Sequence, residues 1–185
     1  MGVREKVEVA FRELLSKQPY SKITVAAICE SAGIARKTFY SYFDSKEDII
    51  SFIFDRDIMK PQRDLDQLLP RGSAEQFTDV FQEKFYSSFL KDKDFYMRIV
   101  GPLRSEDSAF VRVAIKKIYS MNCTILTNGH FFDSDWQTDY AAYYIAAAQA
   151  KFVEKWISEG MRIPPSDMAD LYKRIALDFW RHPEH

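Results

Sequence analysis

The chain has 185 residues, 46% of them hydrophobic and 29% charged, with a net charge of −1, a globular mixture that excludes disordered and fibrous classes. No apolar run reaches the roughly 18 residues of a membrane span, and charged residues run through Met1 to Ser16, unlike a secretory leader; a cytoplasmic protein with no membrane partner is expected. Its two cysteines, Cys29 and Cys123, lack CxxC or Cys/His ligand spacing and read as core thiols rather than a disulfide or zinc framework.

The apolar residues Val7, Ala10, Phe11, Leu14 and Leu15 recur at three and four, which predicts a first helix over Val3 to Ser16 that ends near Gln18-Pro19. A second helix starts at Thr24 as N-cap, carries Val25, Ile28, Cys29 and Ala32 on one face, and is stopped by Gly33. Phe39 and Phe43 open a new buried stripe only a few residues later, so the turn is a tight helix-turn-helix. Ser45-Lys46-Glu47-Asp48 then reads as a cap with acids in the first turn, starting a fourth helix through Ile49, Ile50, Ile53 and Phe54 to about Met59, before Pro61.

Beyond Pro61 the pattern stays helical. Phe77, Phe81, Phe85 and Phe89 mark one buried face, Phe95 to Val100 another, and Ala109 to about Thr127 a further helix ending near Asn128-Gly129. Asp135 to Glu159 is rich in Ala, Tyr and Trp, and Gly160 stops it. A last helix is capped by Ser166 or Asp167 and carries Met168, Leu171, Ile175 and Phe179. The fold class is therefore all-α, with no repeat or low-complexity segment.

Charge is uneven along the chain. Residues 1–46 hold eight Lys/Arg against five acids, a net of +3, which leaves −4 for the remainder. With Phe39 and Phe43 inward, the 100° step per residue turns Arg36, Lys37, Tyr40 and Ser41 outward. A short basic helix of this kind suits the major groove: Arg36 and Lys37 can donate to guanine edges or phosphates. Thr38 and the phenols of Tyr40 and Tyr42 can donate to phosphate oxygens, and Lys46 adds a cation.

The stretch ITVAAICESAGIARKTFYSYFDSKEDII, Ile23 to Ile50, resembles the helix-turn-helix of the TetR family of bacterial regulators. Thr24, the turn at Ala32 to Ile34, Thr38, Phe39-Tyr40, Tyr42-Phe43 and Ser45-Lys46-Glu47 fall in the family's order without a gap. The resemblance implies that Thr24, Thr38, Tyr40, Tyr42 and Lys46 hold the DNA backbone while Arg36 and Lys37 face bases. Two positions depart: Ala35 stands where the family often has a capping Ser, and Lys37 where it often has a small residue.

The resemblance further implies a DNA-binding domain over 1–59 and a helical ligand-binding and dimerisation domain over 60–185. FYSSFLKDKDFYMRIV and AAYYIAAAQAKFVEKWISEGMRIPPSDMADLY resemble the C-terminal region of one TetR subgroup, some members of which activate rather than repress. A pocket formed by Phe81, Phe85, Phe89, Tyr96, Met97, Tyr119 and Met121 would take a small apolar or aromatic effector, although the same residues serve equally well as ordinary core. Tyr143, Tyr144, Phe152, Trp156, Leu171, Ile175 and Phe179 are the expected homodimer interface.

Three histidines, His130, His182 and His185, lack plausible partners, and GxSxG, GxxxxGK[ST] and HExxH are all missing, so neither an enzyme nor a cofactor is expected. The expected function is a dimeric regulator, a repressor or an activator, that reads a near-palindromic double-stranded DNA operator and responds to a small molecule. The alternative is a helical adaptor with a silent helix-turn-helix.

Overall fold

A computed structural model describes residues 1–68, 74–101 and 108–175, with the side chains of 66–68 and 74–79 excepted. Helix α1 (Val3–Lys17) buries Val7, Ala10, Phe11 and Leu15 and stops where Pro19 disfavours helical geometry at Gln18. One 3-10 turn, Tyr20–Lys22, leads to Thr24, whose Oγ1 accepts from the Ala27 N–H at 3.2 Å and caps α2 (Val25–Ala32). Gly33 ends α2 in the left-handed region at φ 63°, a conformation any side chain would strain, and α3 (Arg36–Tyr40) follows. Ser45 caps α4 (Lys46–Phe54) reciprocally with Asp48, whose carboxylate accepts from the Ser45 N–H at 3.0 Å.

The fourth helix does not stop before Pro61. Asp55–Met59 widens into a π segment in which the Lys60 N–H reaches the Asp55 carbonyl, five residues back, and α5 (Lys60–Leu68) continues directly. Proline has no N–H to give, and its ring crowds the carbonyl four residues earlier in a regular turn; the wider turn relieves that crowding. A boundary at 59/60 therefore falls inside continuous helix.

The remaining helices are α6 (Ala74–Leu90), α7 (Lys93–Val100), α8 (Ala109–Asn128), α9 (Asp135–Ser158) and α10 (Pro165–Lys173). Pro165 occupies the first turn of α10 with Pro164 as its cap, so the expected capping by Ser166 or Asp167 is not used; proline's preset φ suits that position. The most extensive packing is α8 along α9, where Ala142, Ala146 and Ala150 form a fully buried small-residue seam. Phe54 joins α4 to α6 and α8: its ring lies 6.0 Å from both Phe89 and Phe110, edge-on. Gln62, fully buried, bridges the Phe81 carbonyl (3.2 Å) and the Phe85 N–H (2.9 Å) of α6 through its side-chain amide.

Candidate nucleic-acid interface

Helix α3 is pinned by one ring. Phe39 is fully buried and packs 5.4 Å from Tyr40 and 5.6 Å from Phe43. With that ring inward, Arg36, Lys37, Tyr40 and Ser41 are exposed, Tyr42 is 45% exposed, Thr38 is half-buried, and Thr24 is exposed at the start of α2. Neither Arg36 nor Lys37 has an acidic partner among the described residues. Ala35 makes no side-chain cap, in keeping with its departure from the family's pattern.

Lys46 does not stand free. Its ammonium donates to the carbonyls of Tyr20 (3.0 Å) and Ile23 (2.9 Å) and lies 4.2 Å from the centroid of the Tyr20 ring. Burial pushes its pKa below the usual lysine value, with Glu47 opposing. The ammonium expected to face phosphate thereby also holds the turn before Thr24 against α4. Sequence reading missed Arg4, exposed on α1, whose guanidinium carbon is 5.9 Å from the Tyr42 ring centroid; only its share in the basic excess hinted at it.

The residues expected to form an effector pocket do not come together as one. Phe85, Phe89 and Tyr96 are fully buried and stack in the core, with 5.3 Å between the first two rings and 4.9 Å between the last two. Only Phe81 and Met121 line a cleft of about 260 Å³, bounded by the π segment, α5, α6 and α8. Met97 is partly exposed on α7, and the Tyr119 hydroxyl donates to the Asp139 carboxylate on α9.

Of the expected dimer residues, Tyr143, Tyr144, Leu171 and Ile175 are exposed and Phe152 is half-buried. Trp156 is a correction: it is 2% exposed, packs edge-on 5.4 Å from Tyr86, and donates its indole N–H to the Ile163 carbonyl at 2.9 Å. Its indole closes the turn after α9 from inside the core. Trp136 and Tyr140, 66% and 73% exposed, extend the outward aromatic face of α9 instead. Phe179 lies outside the described residues.

Residues 9–51 match the family model described as bacterial regulatory proteins, tetR family, and residues 75–178 match that of a transcriptional regulator C-terminal region. The chain belongs to the TetR family. This TetR-family protein is a DNA-binding transcription regulator. It is similar to the dhaKLM operon transcriptional activator DhaS of Lactococcus lactis, 42% identical over 48 residues; those residues span 26% of either protein. Over the whole chain it is similar in fold to Thermus thermophilus FadR, a TetR-family repressor solved with lauroyl-CoA (TM-score 0.66, 16% identity, 95% of this chain and 93% of that one). FadR from Bacillus halodurans is similar in the same way (TM-score 0.64, 17% identity, 98% of each chain).

In the TetR-family chain, one ion network ties α1 to the π segment and to the residue before α7. Glu8, 8% exposed, accepts from Arg12 at 2.8 Å and from Arg56 at 2.5 and 3.0 Å; Arg56 also holds Asp57 at 2.6 Å, and Arg12 reaches Asp92. Burial alone would raise the Glu8 pKa, but the hydrogen bonds from Arg56 and Arg12 outweigh it and hold the carboxyl below its ordinary value. A second pair, Arg112 of α8 with Glu47 of α4, ties the first turn of α4 to the C-terminal region.

Proposed function

We propose that this regulator binds a near-palindromic duplex as a homodimer, inserts α3 into the major groove, and responds to a small-molecule effector held by residues 60–185. The observation that carries the reading is the outward pair Arg36 and Lys37, free of acidic partners among the described residues, on a helix that Phe39 anchors from behind. Residues 1–59 form the reading unit. Arg36 and Lys37 face base edges, and Thr24, Thr38, Tyr40, Ser41 and Tyr42 hold phosphates and sugars, with Arg4 beside Tyr42. Lys46 contributes by position rather than by contact.

Selection on random duplexes yields the operator and its symmetry. On that operator Arg36→Ala is expected to cost about 1–3 kcal/mol and to relax preference at one base pair, read by fluorescence anisotropy. Equal loss on all sequences would reassign Arg36 to the backbone.

The outward aromatics of α9 support the dimer, because Trp136, Tyr140, Tyr143 and Tyr144 expose more ring surface than one solvated helix needs. Tyr140→Glu with Tyr144→Glu is expected to shift the protein to monomer in sedimentation; a persistent dimer would place the interface elsewhere. Repression is the first reading of the output, as in Thermus FadR. Activation is the second, favoured by the match to the activator DhaS. A reporter gene behind the selected operator separates them. No helix among the described residues is long and apolar enough to cross a membrane, and the proposed location is the cytoplasm.

A further inference from the structure

A widened helical turn and a buried cross-helix amide lie on the walls of the same cleft. The π segment contributes its first and last residues, Asp55 and Met59, and α6 contributes Phe81, one of the two residues whose backbone the buried amide of Gln62 bridges. A π turn inside an α-helix is uncommon and concentrates at functional sites. That both border one concavity points to a place shaped for an occupant.

The lining defines the chemistry of that occupant. Met59, Phe81, Met121 and Ile125 supply apolar surface, whereas Arg63 and Lys117 share a single carboxylate, Asp55, at 3.2 and 3.6 Å. Two cations against one acid leave the rim with an excess positive charge. Asp55, Arg63 and Lys117 are 40%, 52% and 28% exposed, so these pairs touch water and exchange partners readily. A cation would be repelled by this rim, and a purely apolar molecule would leave it unused.

We propose that the cleft takes a compact amphiphile whose anionic head, a carboxylate in the simplest case, lies between Lys117 and Arg63 and displaces Asp55, with its apolar part against Met59 and Met121. The cleft holds about 260 Å³, near the lower end of the roughly 300–1,000 Å³ usual for ligand sites, which selects a small molecule. The proposal rests on the effector reading, extends the site from residues 60–185 to Asp55 and Met59, and adds an anionic head to the apolar or aromatic ligand that the sequence suggests. It also names the first thing to change on binding: Asp55, the opening residue of the π segment, loses its partners.

The test uses the full chain with octanoate, octanol and octyltrimethylammonium as probes, followed by thermal shift and calorimetry. Octanoate is expected to bind and raise the melting temperature, and the other two are not. Lys117→Gln should weaken octanoate by about tenfold, the loss of one charge-assisted hydrogen bond, while Asp55→Asn should tighten it by removing the competing carboxylate. The opposite responses of two variants on one rim guard against a simple folding defect, which circular dichroism checks. Equal binding of octanol, no binding of octanoate, or unchanged affinity in both variants would overturn the proposal. Octanoate that binds in this pattern without altering operator affinity supports the site while overturning its role as effector site.

Discussion

Replacing Glu8 with alanine is expected to lower the unfolding free energy by about 2–3 kcal/mol, because a nearly buried carboxylate that serves two arginines is removed and both cations keep only their outer partners. Arg12 retains Asp92 and Arg56 retains Asp57, which keeps the loss below that of a fully isolated buried charge. Acid adds a second signature. The native Glu8 pKa lies below its ordinary value of 4.5, so its stabilisation is fully present above that value and is lost as the pH falls through the native one. Urea melts at pH 7 and at steps from about pH 5 to pH 3 should show an acid-dependent loss in the parent that Glu8→Ala lacks. Glu8→Gln keeps the shape and removes the charge; a melt identical to the parent would show the network to be without consequence.

Lys46→Met is expected to weaken operator binding by about thirtyfold, corresponding to about 2 kcal/mol for the lost carbonyl hydrogen bonds and ring contact. In the proposed complex the loss arises because the turn at Tyr20–Lys22 no longer sets Thr24 and the start of α2 against the DNA. The discriminating readout is the dependence of log affinity on log salt. A lysine that touches a phosphate lowers that slope by about 0.9 when removed, whereas a lysine that works through the turn leaves it unchanged. Anisotropy titrations at several KCl concentrations decide this, and a slope reduced by about one would restore Lys46 as a phosphate contact.

The head was legible because its determinants are local. The capping oxygens of Thr24 and Ser45, the left-handed Gly33 and the inward Phe39 all act within four residues of their own position, and sequence spacing carries that information directly. What escaped were partners brought together across the chain. Lys46 meets carbonyls 26 and 23 residues away, and Glu8 meets Arg56 at a separation of 48. In the C-terminal region, an aromatic residue at helical spacing can face either core or solvent. Trp156 went inward, onto Tyr86 of α6, and Trp136 outward. Pro61 misled for a different reason: a proline ends a helix only where no wider turn is available, and the residues before it supply one.

The π segment has a consequence for how the two halves of the regulator are aimed. Each residue of a helix turns the chain by about 100°, so a turn that holds one extra residue shifts the angular phase of everything beyond it. Ile49, Ile50, Ile53 and Phe54 ahead of it, and Ile58 and Met59 within it, are all buried, although they belong to helical wheels out of step with one another. Deleting a single residue between 55 and 59 would return the turn to α geometry and bring Pro61 back against the carbonyl four residues before it. The heading of the reading helix relative to the C-terminal bundle would also rotate, and in the proposed dimer the spacing between half-sites would then follow partly from the count of residues in one turn.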